Sequence, residues 1–563
     1  MSHKHAAIIS VALLAVLCLF RTFVTGWGPL GEIPSSDWTQ IGVVDFPADN
    51  LSYVSWAQQT MRGEWHLSNL YTTTPHVAAL FNLLFLFVGH ASSIFGAHPL
   101  LVMNVLGALA LPVFVFGFNA ACRALGVGPA ASFAATCLAV GGGGISWVRR
   151  LIIWSGADRV LPVGQPGPDF SYFDLYPAST YFIYPSHAIS LAILAVLAFA
   201  IVRCDDTQIR LTAGRIGFLL SLAFVLAWVR PYEPVTLLAV MTAVVVASIV
   251  LRLPSQVVRR RAILLACLAV AMLPQVVYGL WLSSLPVWGQ STKTSFDFVV
   301  EGDWTSGYFV LWLLAAIGAA TLGNRLLNSA YAFPAVWALI CAAIMLVLDS
   351  GVWLSKFAAG GTIALGLLAG AAIDWLAPKW PSRGAAMAAY VGIAGLAFAS
   401  PALVILKYAL NADTVMVRSE LLHAIDAIRA DSDSVAPTVL TDCGTGVVLP
   451  GLGGLRVYCG HWALTDHNRH KIMLLKSQLG FRSPRESEVS YPGVTAQDID
   501  NRARELSAQI AGGVFGYAIV QKPYYLADEL MSKAGDCTIV SGEDYLVLRM
   551  CPAVESVFQE KLK

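Results

Sequence analysis

Charge is scarce in this sequence. Only 13% of its 563 residues are Asp, Glu, Lys or Arg, and the 36 basic side chains exceed the 35 acidic ones by one. Nucleic-acid binding rests on clustered Lys and Arg set against phosphates, so this balance excludes nucleic acid as a partner. The ten cysteines include no C-x-x-C pair and no Cys/His group at zinc spacing, which argues against a structural metal. Neither G-x-S-x-G nor a P-loop occurs, so serine hydrolase and ATP-driven chemistry lack support. The chain has no internal repeat and no low-complexity tract. The paired halves common in transporters are therefore missing, which leaves a transporter or flippase of lipid-linked sugars as the weaker functional class.

What the sequence has in abundance is apolar side chains. A hydrophobic content of 57% and a mean hydropathy of +0.66 indicate a polytopic α-helical membrane protein. A spanning helix needs ~20 mostly apolar residues. Segments near 6–23, 76–95, 99–122, 129–148, 186–203, 214–229, 232–251, 262–281, 306–323, 331–348, 355–377 and 386–408 fit that template, which predicts about 11–13 transmembrane helices. No small-x-small cleavage site follows residues 6–23, so this segment reads as a retained signal anchor.

Positive charge gathers in the connectors Arg203 to Arg215, Arg252 to Arg261, Asn324–Arg325 and Lys379 to Arg383, which alternate as cytoplasmic. The loops 24–75, 149–185, 282–305 and 349–354, the turn Arg230–Glu233 and everything after 408 then lie outside. One conflict remains between residues 70 and 150. Loops 24–75 and 149–185 share a face only if an even number of crossings separates them, yet three apolar segments lie between. Either 76–95, which starts at Pro75-His76 and contains Asn82 and His90, is re-entrant or surface-lying, or the run Gly141–Gly144 splits segment 129–148.

The chain divides at about residue 410 into a transmembrane catalytic part, 1–410, and a soluble extracytoplasmic α/β domain, 411–563. In the second part charges recur regularly and apolar runs shorten to strand length. Helices are predicted over 415–430, 467–480, 496–511 and 524–534, and strands over 439–441, 455–459 and 517–521, with a hairpin over 537–540 and 545–550. Cys443, Cys459, Cys537 and Cys551 all fall here and could form two disulfides in an oxidising compartment. Three connectivities are possible, and pairing sequence neighbours is preferred.

Chemistry is expected in the polar run Asp45 to Trp65. Asp45 and Asp49 stand four residues apart and could act as a general base or hold a divalent ion such as Mg or Ca. The competing reading makes Asp49 the N-cap of a helix starting at Asn50. The pattern Asp49-Asn50-x-x-Tyr53-x-x-Trp56-Ala57-x-x-x-Met61-Arg62-Gly63-Glu64-Trp65 resembles the first external loop of GT-C glycosyltransferases. There an acidic residue, an aromatic a few positions on and a Gly-acidic-Trp turn recur. Thr74-Pro75-His76 leading to Phe87-Val88-Gly89 resembles the Pro-containing start of the next helix in that superfamily. The order of elements, one helix, an acidic loop, many helices and an external C-terminal domain, is similar along nearly the whole chain.

The resemblance implies a mannosyl- or arabinosyltransferase-like enzyme at the outer face of a bacterial plasma membrane. It would move a sugar, with inversion, from a polyprenyl-phosphate carrier to a glycan, lipid or protein acceptor, with Asp49 as the catalytic carboxylate. A polymerase or ligase of lipid-linked polysaccharide would share this chemistry. Asp-Asn stands here where Asp-Glu is frequent, which weakens a metal role for the second position.

A lipid-phosphate leaving group needs cations or donors near the interface. Arg230, Lys356, His187 and Arg150 are the candidates, the first because guanidinium grips phosphate in a bidentate fork. An Arg230–Glu233 pair pinning an interhelical turn is the competing account of Arg230, and snorkelling that of Lys356. Tyr53, Trp56, Tyr184, Glu233, His461 and Trp462 are candidate substrate contacts, since sugar sites mix aromatic faces with a few placed polar groups. Ordinary packing is the alternative for the last two.

Overall fold

The computed structural model describes residues 38–43, 47–155, 177–290, 307–347, 356–410, 416–481, 494–522 and 525–563. The segment 6–23 and Asp45 lie outside the described residues. A short strand, β1 (Trp38–Gln40), precedes α1 (Pro47–Met61), α2 (Leu83–Phe95), α3 (Pro99–Ala124), α4 (Pro129–Gly141) and α5 (Ser146–Trp154). The helical part continues with α6 (Pro177–Ile183), α7 (Pro185–Asp205), α8 (Ala213–Val229), α9 (Tyr232–Val250) and α10 (Ser255–Ser284). It closes with α11 (Phe309–Leu322), α12 (Ala332–Val347), α13 (Gly361–Leu376) and α14 (Arg383–Leu410).

Among the described residues six helices are long and apolar enough to cross a membrane, or seven if α4 and α5 form one broken span. Their outer faces carry exposed Val, Leu, Ile and Phe, as lipid contact requires.

Two features of the geometry bear on the region between residues 70 and 150. The Asn82 side chain accepts the backbone N–H groups of Leu84 and Phe85, starting α2 late, and Gly96 ends it in a left-handed conformation. Thirteen residues reach roughly 20 Å, short of the ~30 Å hydrocarbon layer. The glycine run also breaks the chain: Gly142 adopts φ 86°, and α4 and α5 meet at a 52° bend. Asp49 and Tyr184 come together at one end of the bundle.

The opposite end is stapled by Arg261. Its guanidinium pairs with Asp205 at 3.1 Å, both side chains being almost fully buried. It also donates to Ser248 Oγ at 2.8 Å, Leu327 O at 3.0 Å and Ser329 O at 2.7 Å. One cation thus ties α7, α9, α10 and the turn before α12 together, with its hydrogen-bonding capacity used.

The C-terminal part holds β2 (Met416–Arg418), α15 (Ser419–Asp431), β3 (Thr438–Leu440), β4 (Arg456–Val457), α16 (Asn468–Gln478) and α17 (Ala496–Ala511). It ends with β5 (Tyr517–Gln521), α18 (Tyr525–Ala534), β6 (Thr538–Ser541), β7 (Tyr545–Arg549) and α19 (Pro552–Lys561). Five strands form a sheet in the order β4-β3-β5-β7-β6, with β4, β3 and β5 parallel and β7 and β6 antiparallel. Alternation decides what each face covers. Val439, Val457, Ile519 and Val547 point into a core shared with Leu51, Val54 and Tyr71 of the first loop. Leu440, Ala518, Val520, Leu546 and Leu548 point into a second core under α16 to α19.

Residues 416–418 were expected to begin a helix but form β2, because they pair antiparallel with β1. The first loop and the C-terminal sheet domain are therefore joined by a strand pair and a common core. Gly451 permits the close approach: a Cβ there would stand 2.6 Å from the Leu51 carbonyl oxygen. Disulfides link Cys443 to Cys459 and Cys537 to Cys551.

Candidate active site

Helix α1 carries polar side chains that are buried rather than solvated, and each finds a partner that fixes the helix. Asn50 donates to Ile183 O at 3.1 Å, Gln58 to Gly451 O at 2.8 Å and Thr60 to Phe85 O at 2.8 Å. Because α1 begins at Pro47, Asp49 sits inside its first turn rather than capping it. There the helix dipole favours a carboxylate.

The Asp49 carboxylate has donors from both halves of the molecule. His461 Nε2 lies 3.0 Å from Oδ1, and the Tyr184 hydroxyl donates to Oδ2 at 3.3 Å. His461 Nδ1 accepts the backbone N–H groups of Ala463 and Leu464 at 3.0 and 3.1 Å. A nitrogen that accepts two N–H groups carries no proton, so the remaining Nε2–H points at Asp49.

The loop bearing His461 is clamped to the first external loop. Asn69 donates to Leu464 O at 2.6 Å and the Thr465 hydroxyl to Tyr71 O at 3.0 Å. Asp466 accepts from the hydroxyls of Thr72 and Thr74 and from Lys471, the last at 2.7 Å. Burial would raise the Asp466 pKa, but Lys471 and the two threonines outweigh it and hold the carboxyl at about 2. The ring of Tyr71 meets His461 edge-on at 5.5 Å. Burial, reinforced by the Asp49 charge, raises its hydroxyl pKa well above the ordinary value. On the His461 side, the disulfide from Cys459 fixes the chain two residues before the histidine.

A second group of side chains stands along α7. Tyr184 stacks on His187 at 4.9 Å, and His187 Nε2 is 3.1 Å from the Tyr53 hydroxyl. One turn further, Ser190 Oγ accepts from Arg230 at 3.4 Å. Arg230 pairs with Glu233 at 3.2 Å, each side chain 4% exposed. The Tyr232 ring lies 5.9 Å from the Arg230 guanidinium and 5.4 Å from Lys356 Nζ, so two cations stand beside one aromatic ring. Thr236 donates to Phe357 O at 2.8 Å, which fixes the turn carrying Lys356.

These residues surround one cavity of about 690 Å³. Asp49, Tyr53, Trp56, His187, Arg230, Lys356, His461 and Trp462 all line it. A carboxylate and two cations thus line a single space of ligand size.

The sequence matches no protein-family profile, and no curated protein sequence matches it. Solved structures do. ArnT from Cupriavidus metallidurans, bound to undecaprenyl phosphate, superposes with a TM-score of 0.53 at 12% identity, covering 98% of this chain and 99% of ArnT. The oligosaccharyltransferase of Archaeoglobus fulgidus, tethered to an acceptor peptide, gives 0.53 at 11% identity, covering 91% of this chain and 69% of its own. The mycobacterial arabinofuranosyltransferase AftD gives 0.50 at 16% identity, with 92% of this chain covering 37% of that one. The chain has the GT-C glycosyltransferase fold.

Within this GT-C fold the expected residues separate into three groups. Most meet at the cavity, as above, and Tyr184 reaches it through Asp49. Two do not contribute as expected. Glu233, paired with Arg230, and Arg150, on the bent helix α5, are not among the residues lining the cavity. Asp45 and the stretches 156–176, 291–306 and 348–355 lie outside the described residues. Among the described residues no group of three or more His, Cys, Asp or Glu side chains could hold a metal ion.

Ser190, Tyr71 and the Asp466–Lys471 pair were not expected at the site. Their roles depend on contacts with distant segments. Gln275, which also lines the cavity, had a visible signal: it is an amide inside a long apolar run.

Proposed function

We propose that this protein is a membrane glycosyltransferase that transfers a sugar, with inversion, from a polyprenyl phosphate to a hydroxyl of an envelope glycan, lipid or protein. The observation that carries this reading is the pairing, in one cavity, of the donor-held Asp49 carboxylate with the Arg230 and Lys356 cations. Fold neighbours point to the same carrier chemistry. One is solved with undecaprenyl phosphate, and an archaeal oligosaccharyltransferase is solved with dolichol phosphate and an inhibitory peptide.

In this mechanism the acceptor hydroxyl gives its proton to Asp49 as its oxygen attacks the anomeric carbon. The bond from that carbon to the phosphate oxygen breaks on the opposite side, which inverts the configuration. The leaving phosphate keeps the electron pair, and Arg230 and Lys356 stabilise its charge. His461 and Tyr184 hold the carboxylate in place, so they are positioning residues. No step uses Glu233, which holds Arg230 in place.

His461 to Leu464 of the sheet domain line part of the cavity, and two disulfides in that domain support an oxidising, extracytoplasmic compartment. Arg260 and Arg261 stand at the other end of the bundle, beside the Arg-rich turn after α7, which fits a cytoplasmic face there. The test is to incubate the purified protein with radiolabelled polyprenyl-phosphate sugars and membrane extracts. Carrier-dependent loss of sugar from at least one donor is expected. No turnover of any carrier would overturn the proposal.

A further inference from the structure

A helix that meets water carries charged or polar side chains on its outer face. Helix α2 does not. It contains no Asp, Glu, Lys or Arg, and its outer face presents Phe87, Ile94 and Phe95, which are 58%, 78% and 78% exposed. Trp65 of the first loop, 58% exposed, extends this patch by standing beside His90, ring centroids 5.9 Å apart. The inner face is taken up by α1. Gly89 meets that helix so closely that a Cβ there would stand 2.5 Å from the Ala57 carbonyl oxygen. The Thr60 hydroxyl donates to Phe85 O at 2.8 Å, and the Phe85 ring stacks on Tyr53 at 5.6 Å.

Both ends of α2 are tied to the same end of the bundle. At its start, Asn82 donates to Val229 O at 2.9 Å, next to Arg230 on the cavity wall. At its close, the His98 ring stands 3.3 Å from the Gln58 amide, which donates to Gly451 O of the sheet domain. A helix that starts and stops at one end has not crossed. The next helix, α3, does run the length of a span, and its exposed Leu101, Val105, Leu109, Val113 and Phe116 recur every three or four positions as one lipid-facing stripe. Only Gly96, Ala97 and His98 separate α2 from α3, so the outer face of α2 continues a surface that already meets lipid.

We infer that α2 lies along the leaflet on the sheet-domain side, with Trp65, Phe87, Ile94 and Phe95 set among the lipids, and that it holds helix α1 at that height. Tryptophan favours this boundary, and a helix bound through an apolar face needs no spanning length. The crossings between the first loop and loop 149–185 are then α3 and the broken α4–α5 pair. Two crossings return the chain to the same face, as the contact between Asp49 and Tyr184 requires. The height of α1 matters through the reading of Asp49 as the catalytic carboxylate, whereas the placement of α2 stands without it.

The experiment reads depth in the full-length protein reconstituted into phosphatidylcholine vesicles. Phe87→Cys, Ile94→Cys and Phe95→Cys, each labelled with bimane, are compared with Leu109→Cys inside α3, after subtracting the signal of labelled wild type. Lipid brominated near the headgroup should quench the three α2 labels to a similar extent, and lipid brominated near the chain ends should quench Leu109→Cys most. A crossing helix would carry the label roughly 12 Å deeper between Phe87 and Phe95, and such a gradient overturns the inference. Quenching by aqueous iodide alone, which places the face in water, also overturns it. So does protection from both quenchers, which means that another protein surface covers the face. The link to α1 is read with Phe87→Asn/Ile94→Asn. Transfer from a long-chain polyprenyl-phosphate sugar in vesicles should fall about tenfold through the donor KM, while a short-chain, water-soluble carrier is used as by wild type. Equal losses with both carriers would detach the height of α1 from α2. No transfer by wild type from any carrier overturns the reading of Asp49, and the link with it, but leaves the depth result standing.

Discussion

The Asp49 carboxylate and the His461 imidazole lie 3.0 Å apart across 412 positions of sequence. The first comes from a helix at the membrane face, the second from a loop of the sheet domain. Two backbone N–H groups fix the histidine's tautomer, and the clamp of Asn69, Thr465, Thr72, Thr74 and Asp466 fixes its loop. On the proposed function, the sheet domain completes the catalytic centre.

His461→Ala removes a donor to Asp49 but no contact to the substrate. Its kcat should fall about 10- to 100-fold, with the donor KM changed little, because the carboxylate loses orientation while the cations keep the phosphate. His461→Gln presents an amide N–H at a similar reach and should recover part of the loss. A dominant rise in KM for both variants would instead make His461 a substrate ligand.

Arg230 and Glu233 are buried together, so removing one leaves the other an uncompensated charge. Arg230→Ala should lower stability by about 3–5 kcal/mol. The double variant Arg230→Met/Glu233→Gln should regain most of that in thermal unfolding yet still bind polyprenyl phosphate about tenfold more weakly than wild type. Recovery of lipid-phosphate binding in the double variant would reduce Arg230 to a structural pin.

Much of this was legible in the sequence. Composition gave the membrane class, and apolar length located the helices from 99–122 onward. The polar run after the first apolar segment contained Asp49, Tyr53 and Trp56. Two things resisted. Apolar content alone counted 76–95 as a span, whereas the Asn82 cap shortens it to Leu83–Phe95. Contacts between distant segments leave no local pattern: nothing near Ser190 says that Arg230 donates to it, whereas the Arg230–Glu233 pair, three residues apart, could be read from the sequence. His461 was found only as an aromatic-flanked histidine, and its partner Asp49 could not be named.

The two disulfides close loops of similar length, 16 and 14 residues, and each should contribute about 3 kcal/mol to the sheet domain. Their functional effects should differ. Cys443→Ser/Cys459→Ser should reduce transfer as well as melting temperature, because Cys459 leads into His461. Cys537→Ser/Cys551→Ser should lower the melting temperature with transfer per folded molecule retained. Equal losses of specific activity would contradict the assignment.

His76 holds the first loop closed: its Nδ1 side bonds Thr74 O at 2.8 Å and its Nε2 accepts from Asn69 N at 3.0 Å. Burial lowers its pKa below the ordinary histidine value, with the Thr74 carbonyl pulling the other way. A base whose folded pKa is depressed favours the neutral form, so its contribution is complete above about pH 6.5 and is lost as pH falls through the lower folded value. Wild-type melting temperature should therefore fall on acidification below about pH 6.5, and His76→Gln should flatten that slope. An unchanged slope would place the acid sensitivity elsewhere.

The central claim is that Asp49 takes the acceptor proton. Asp49→Asn keeps the shape and both hydrogen-bonded neighbours in reach but removes the base, so it isolates that role. Transfer of radiolabelled sugar from polyprenyl phosphate should fall by about 10²- to 10⁴-fold, with carrier binding and melting temperature close to wild type. Transfer equal to wild type in this variant would contradict the account.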